Sequence, residues 1–259
     1  MTIKPSNIES ATTRVGVYGE YGILREVVVG HFHDFTYAEW SSSVRYVRPE
    51  LRNLLEVQGG KTLNVKEVLP QRYEQTVHQL EALVAAYEKH GVRVHRARRF
   101  TEDEKHYLDH LQGGHALIYP ADPVFVLGNH FMELCIRRPY RRKEVFPLRD
   151  LIYPMIADDS EAHHVAMPQS APRYEFGEGP GPFLEGGDII VQGRDVIVGQ
   201  GEVCSNQAGA NWLARYLAPY GYRVHPMAID GLWLHALGVM CLLREGLLMA
   251  YLPALTQGL

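Results

Sequence analysis

The sequence predicts an α/β protein assembled from repeats of a hairpin, a helix and a strand. Three observations carry this: β-branched apolar runs that break at glycine-centred turns, a segment of helical apolar period, and a short stretch that occurs twice with the same closing residues. With 259 residues, 46% hydrophobic and 22% charged, the chain can bury one large core and is read as a single domain over 1–259.

The elements follow in order. Tyr21 to Gly30 (YGILREVVVG) reads as a buried strand ended by glycine. Pro70 opens a helix whose apolar residues Tyr73, Val77, Leu80, Val84 and Tyr87 share one face. Gly91 stops it, and a strand runs from Val92 to His95. Val124 to Cys135 reads as a hairpin turning at Gly128-Asn129. The same grammar returns at Ile189 to Gly199 and at Val239 to Tyr251, with a helix from Asn206 to Ala218 and a strand from Tyr222 to His225 between them. Tyr153 to Pro182 is proline-rich with little periodicity, and it reads as a long, lid-like loop.

The repeated stretch is AAYEKHGVRVH at Ala85 to His95, echoed by ARYLAPYGYRVH at Ala214 to His225. A unit of hairpin, helix and strand cannot bury its own face, so copies are expected to pack against one another around a centre. Coincidence between two short helix ends is the alternative.

Composition sets limits on function. A net charge of −4 and a pI near 6.3 give no broad basic field for nucleic acid, although Arg137, Arg138, Arg141, Arg142 and Lys143 form a local basic run. No apolar run is long enough to span a membrane, and Met1 to Thr13 lacks a signal-peptide core, so the expectation is a cytoplasmic protein. Cys135, Cys204 and Cys241 are odd in number, with no CxxC pair. Neither disulfides nor a structural zinc site is expected.

The motif richest in chemistry is Phe183-Leu184-Glu185-Gly186-Gly187-Asp188, immediately before a strand. Two carboxylates flank a glycine pair whose missing side chains leave room for a flat ligand. A guanidinium, planar with its donors in a fixed fork, is held best by paired carboxylates, and Asp188 is the stronger candidate for that contact. The alternative is a turn in which Glu185 or Asp188 caps backbone amides.

FLEGGDIIVQGRDVIVG, followed by CSNQAGANWLARYLAPYGYRVH, resembles the superfamily of amidinotransferases, arginine deiminases and dimethylarginine hydrolases. Ala121 to Glu144 and Asn206 to His225 are most similar to the amidinotransferase branch. The resemblance implies a pentein-type five-bladed α/β propeller of ββαβ units with substrate on its axis. Its mechanism uses a cysteine thiolate that attacks the guanidinium carbon, a histidine acid and base, and carboxylates that grip the nitrogens. Transfer of the amidino group from arginine to an acceptor amine makes an amidinotransferase; attack by water makes a deiminase or hydrolase. Matched position by position, Asp188 and His235 are the expected catalytic residues, and Asp122 and Glu185 the substrate-binding ones. Arg141 matches an arginine for which a structural salt bridge is as good a reading. The implied partners are small molecules, arginine or an analogue and an acceptor amine; no cofactor, metal, nucleic acid or membrane is expected, and a homo-oligomer is left open.

The chain departs from that pattern at two places. Leu237 stands where the family carries a carboxylate two residues after the histidine, unless Asp230 substitutes. No cysteine matches the nucleophile, which lies later in longer chains; Cys204 and Cys241 read as inert thiols. The expectation is therefore a propeller incomplete at its C-terminus, dependent on a partner and inactive alone, with a non-catalytic arginine-binding protein as the alternative. A metal-dependent hydrolase built on His31, His33, Asp34, His163, His164 and Asp188 is a weaker rival, because 13 histidines produce such pairs by chance. Gly177 to Gly181 lies in a proline-rich stretch, not between strand and helix, which argues against a dinucleotide site.

Overall fold

The computed structural model describes residues 15–37, 53–54, 63–109, 115–170, 181–231 and 233–255. Met1 to Thr13 and most of the glycine-rich stretch, residues 177–180, lie outside them. The strands are β1 (Glu26–Val29), β2 (His31–Tyr37), β3 (Leu63–Asn64), β4 (Arg93–Arg96), β5 (His115–Leu117), β6 (Val124–Leu127), β7 (His130–Glu133), β8 (His163–Ala166), β9 (Ile189–Gln192), β10 (Asp195–Gln200), β11 (Arg223–Ala228), β12 (Met240–Arg244) and β13 (Leu247–Ala250). The α-helices that lie wholly within the described residues are α1 (Val65–Val68), α2 (Pro70–Lys89), α3 (Glu102–Asp109), α4 (Phe146–Ala157) and α5 (Gln207–Leu217).

Among the described residues these strands form five small sheets, ordered β1-β4, β3-β2-β5, β6-β7-β8, β9-β10-β11 and β12-β13. Two are full copies of one unit. β6 and β7 form an antiparallel hairpin, α4 follows, and β8 returns parallel to β7; β9, β10, α5 and β11 repeat that order. All three predicted hairpins form. Gly128, Gly193 and Gly246 at their turns have positive φ of 55°, 61° and 72°, which a side chain would disfavour.

The sequence echo has a physical counterpart. β4 lies parallel to β1 with Arg93 opposite Glu26, and β11 lies parallel to β10 with Arg223 opposite Asp195. Arg93 and His95 both engage Glu26, and Arg223 and His225 both engage Asp195. The two Arg-Val-His triplets thus occupy one structural position. These exposed pairs fix little energy, but they mark equivalent strands.

α2 spans the predicted helix and lays Tyr73, Val77 and Leu80 on a cluster of Phe32, Phe35, Leu63 and Val65. α5 buries Ala210, Leu213 and Leu217 against Phe183, Leu184 and the buried residues of β9 and β10. Gly209 in α5 lets the helix approach the Phe183 carbonyl, which any Cβ would strike. Asn206 caps α5, accepting from the Gly209 amide at 3.0 Å, and also accepts from the Phe183 amide at 3.1 Å. One side chain ties the helix to the segment carrying the glycine pair.

Two expectations need correction. Tyr153 to Pro182 is not one long loop: α4 continues to Ala157, and β8 follows. Pro154 sits in the last turn of α4, and β8 is four residues long with mostly exposed side chains, so no apolar period marks it. The strand expected at Tyr21 to Gly30 is restricted to Glu26–Val29 and is only partly buried, and the chain resumes after Gly30 as β2 in a different sheet.

Replacing Asn206 with Ala removes the α5 cap and an acceptor for a second amide. The expected loss is about 2 kcal/mol, read as a lowered urea midpoint with an unchanged slope.

Candidate active site

Asp122 lies just before β6, Glu185 to Asp188 in a tight turn just before β9, and His235 in the approach to β12. All four side chains meet. The His235 Nε2 stands 3.6 Å from Glu185 Oε2 and 3.8 Å from Asp122 Oδ2, and its Nδ1 stands 3.4 Å from Asp188 Oδ1. Neither ring nitrogen has a hydrogen-bond partner, although both are buried.

The glycine pair makes this meeting sterically possible. A Cβ on Gly187 would lie 2.8 Å from His235 Cγ and 2.9 Å from Asp122 Oδ1. One on Gly186 would collide with the Ala121 carbonyl oxygen. The room expected for a ligand is thus occupied by the histidine ring and a neighbouring backbone. Asp122 also fastens the turn, accepting from the Gly186 amide at its carbonyl and from the Gly187 amide at Oδ1.

Asp188 is fully buried and saturated with donors. Its Oδ2 accepts from the Ser205 hydroxyl at 2.6 Å and the Ser205 amide at 3.1 Å, and its Oδ1 accepts from the Ala236 amide at 3.1 Å. The Ser205 hydroxyl oxygen in turn accepts from the Glu185 amide. Glu185 Oε1 accepts from the Arg137 amide, leaving Oε2 toward His235. Amide capping and membership of the carboxylate cluster, alternatives in the sequence, are both realised.

Arg141 is buried but does not line the histidine. It donates to Glu144 through Nε and Nη2 at 2.9 and 2.8 Å, and to Asp122 Oδ2 through Nη1 at 3.1 Å. The salt-bridge reading of this arginine describes its geometry. Burial drives the Glu144 carboxyl up to about 7 even against Arg141, with Asp122 and Glu185 adding to the rise.

The other predicted residues divide. Leu237 is exposed, and the carboxylates near His235 are those named above. The backbone of Asp230 bonds to Ala254 and Trp233. Cys135 is a core residue and Cys241 is exposed on β12. Cys204 is buried, with its thiol raised well above its ordinary range, first by burial and then by Asp188 and Glu185. That suits an inert thiol, yet its place was not foreseen: one ligand atom each from Asp188, Cys204 and His235 lie within 4.8 Å of one another. The histidine pairs of the rival metal reading join no such group among the described residues; His33 meets Tyr73, His164 meets Glu133, and His163 stacks on His130. Ser205 and Glu144 were also missed. Ser205 carried only the signal of a polar residue beside a helix cap, and Glu144 closed a quoted segment without a role.

Electrostatically the site is a cation trap. Burial opposes a charge on His235, but Asp188, Glu185 and Asp122 outweigh it and push it up to about 9. Burial raises Glu185, while His235 and Arg141 pull it back. Four buried carboxylates, those of Asp122, Glu144, Glu185 and Asp188, face the cations of Arg141 and His235.

Fold and site together define a mixed α/β protein in which carboxylates and a histidine gather at the entry ends of hairpin strands. No protein-family model and no curated protein matches the chain. Among solved structures, it is similar to the inosamine-phosphate amidinotransferase of Streptomyces griseus, at 22% identity and a TM-score of 0.73 over 95% of this chain and 71% of that one. It is also similar to an amidinotransferase from Microseira wollei in the saxitoxin biosynthetic pathway, at 20% identity and a TM-score of 0.72 over 93% of this chain and 73% of that one. A dimethylarginine dimethylaminohydrolase follows at 17% identity and 0.50, over 69% and 60%. The chain therefore has the fold of these proteins, the same group that the glycine-pair motif resembles. Among the described residues, no helix is long and apolar enough to cross a membrane.

Two outcomes follow from the electrostatics. His235 should titrate near pH 9 when followed by proton NMR, not near its ordinary 6.5. Because the folded value is the raised one, its charge stabilises the fold fully below about 6.5, and that contribution is lost as pH rises through about 9. A value at or below 6.5 contradicts the site as described. Arg141→Met should cost about 3–5 kcal/mol in chemical denaturation, since it strands Glu144 and Asp122 without their buried partner.

Proposed function

We propose that the chain carries the guanidinium-holding, acid–base part of a guanidino-group-modifying site of the amidinotransferase kind. The observation that supports this most is the meeting of Asp122, Glu185 and Asp188 around one histidine. A guanidinium offers donors in a plane, and several carboxylates gathered at one place suit it better than a point-charge ammonium.

Within this reading His235 enters protonated and is the general acid that delivers a proton to the departing amine, then the base that accepts one from the incoming acceptor. Asp188 keeps the ring oriented, and Asp122 and Glu185 hold guanidinium nitrogens. The five sheets are read as blades around this point. Moving the amidino group from arginine to an acceptor amine also needs a thiolate. Cys204, the thiol nearest His235 among those described, is held protonated by its surroundings. The raised thiol favours a second reading for the chain alone: a binder of arginine-like cations without turnover.

Calorimetry with arginine tests the reading. Arginine should bind, lysine should bind at least about tenfold more weakly, and Asp122→Asn should cost about tenfold or more in arginine affinity. Equal affinity for lysine, or none for arginine, overturns it. Incubation with arginine then separates the chemistry. Ornithine made only with an added acceptor amine marks transfer and citrulline marks hydrolysis; binding without either product marks the non-catalytic role.

A further inference from the structure

We propose that Asp188, Cys204 and His235 form a binding site for a thiophilic divalent cation, with zinc as the type. The inference does not depend on the guanidinium reading, because metal binding is measured directly.

The donor set is the first ground. A thiolate, an imidazole and a carboxylate are the ligands that zinc selects, whereas magnesium and calcium favour oxygen alone. The second ground is spacing. Two ligand atoms of a tetrahedral zinc stand about 3.3 to 3.7 Å apart. His235 Nδ1 and Asp188 Oδ1 already stand at 3.4 Å, without the hydrogen bond their approach would otherwise be expected to make. One ligand atom of Cys204 lies within 4.8 Å of those of Asp188 and His235, so the third ligand is at hand.

The third ground is the surrounding frame. With Nδ1 on the ion, a small turn of the ring would bring Nε2–H onto Glu185 Oε2 or Asp122 Oδ2, now 3.6 and 3.8 Å away, the carboxylate–imidazole–metal relay that fixes a histidine ligand. Asp188 is pinned by Ser205 and Ala236, so its orientation is set before an ion arrives. Asp122 and Glu185 add carboxylates beyond the three ligands, and Arg141 opposes them, its Nη1 sharing Asp122 Oδ2 with the His235 ring.

Zinc takes cysteine as its thiolate, so an entering divalent ion displaces the thiol proton and binding strengthens with pH. The entering ion would occupy the space of the imidazolium's charge, and with it the space of a guanidinium.

Cobalt(II) serves as the probe on the full 259-residue chain. One equivalent should bind with a thiolate-to-cobalt charge-transfer absorption in the near ultraviolet, bind more tightly as pH rises, and be displaced by zinc. Cys204→Ser should abolish the absorption and Cys241→Ser should leave it intact. Should Cys204→Ser fail to fold, His235→Asn, on the less enclosed side of the cluster, should weaken cobalt binding at least tenfold, and Glu185→Gln about 10- to 100-fold. No charge-transfer absorption, or its survival in Cys204→Ser, overturns the proposal. If arginine fails to displace cobalt while the absorption persists, the metal site stands and the guanidinium reading alone fails.

Discussion

The Asp188 carboxylate, buried beyond reach of water, holds the surrounding segments in place through the donors it must have. An ionised carboxylate is tolerated in such a place only when its oxygens are satisfied. Here the Ser205 amide and hydroxyl come from the loop after β10, and the Ala236 amide comes from the approach to β12. His235, one residue from that last amide, is brought to the same oxygen. Asp122 closes the other side by taking the Gly186 and Gly187 amides. The geometry of the site is therefore the hydrogen-bond satisfaction of two buried aspartates, each drawing a distant segment to the EGGD turn.

The same field has opposite effects on the two titratable groups it surrounds. Negative charge from Asp188 and Glu185 keeps the imidazole of His235 charged, and with burial it keeps the thiol of Cys204 uncharged. Arg141 differs from His235 in that its charge is permanent, and it is fastened to Glu144 and to the same Asp122 oxygen that the ring approaches. A fixed cation and a removable one answer the carboxylates, while burial, which lifts Glu144 to about 7 and raises Glu185, removes part of the remaining negative charge.

Much of this was legible in the sequence because it rests on short-range rules. Glycine at the hairpin turns, the apolar stripe of α2 and the helix beginning near Asn206 each followed from local pattern. Asp122, Glu185, Asp188 and His235 were singled out as site residues, and the structure brings their side chains together. What escaped notice has a common cause. β8 is short and exposed, so it lacks an apolar signature. Glu144, Ser205 and Cys204 matter only through partners far away in the chain: Ser205 bonds Asp188 across 17 positions, and nothing local marks it. The glycine pair was recognised as a place of close approach, but pattern alone could not say that the approaching group is His235. Arg141 was left between two roles, which only its partners could separate.

The repeat explains why residues so far apart in the chain meet. Asp122 precedes β6, Asp188 precedes β9 and His235 precedes β12, so each stands at the entry to the first strand of a hairpin. The turns at Gly128, Gly193 and Gly246 lie at the opposite ends of those strands, and the Arg223–Asp195 pair sits beside one of them, next to Gly193. When successive units pack side by side with like ends aligned, their entry positions are brought toward one another without any one unit containing the site. Each unit contributes polar residues, Glu185 with Asp188 in one case, at a place where its own strand does not require them. Units can therefore diverge in those residues, with an aspartate in two and a histidine in the third, while the hairpins that carry them keep one form.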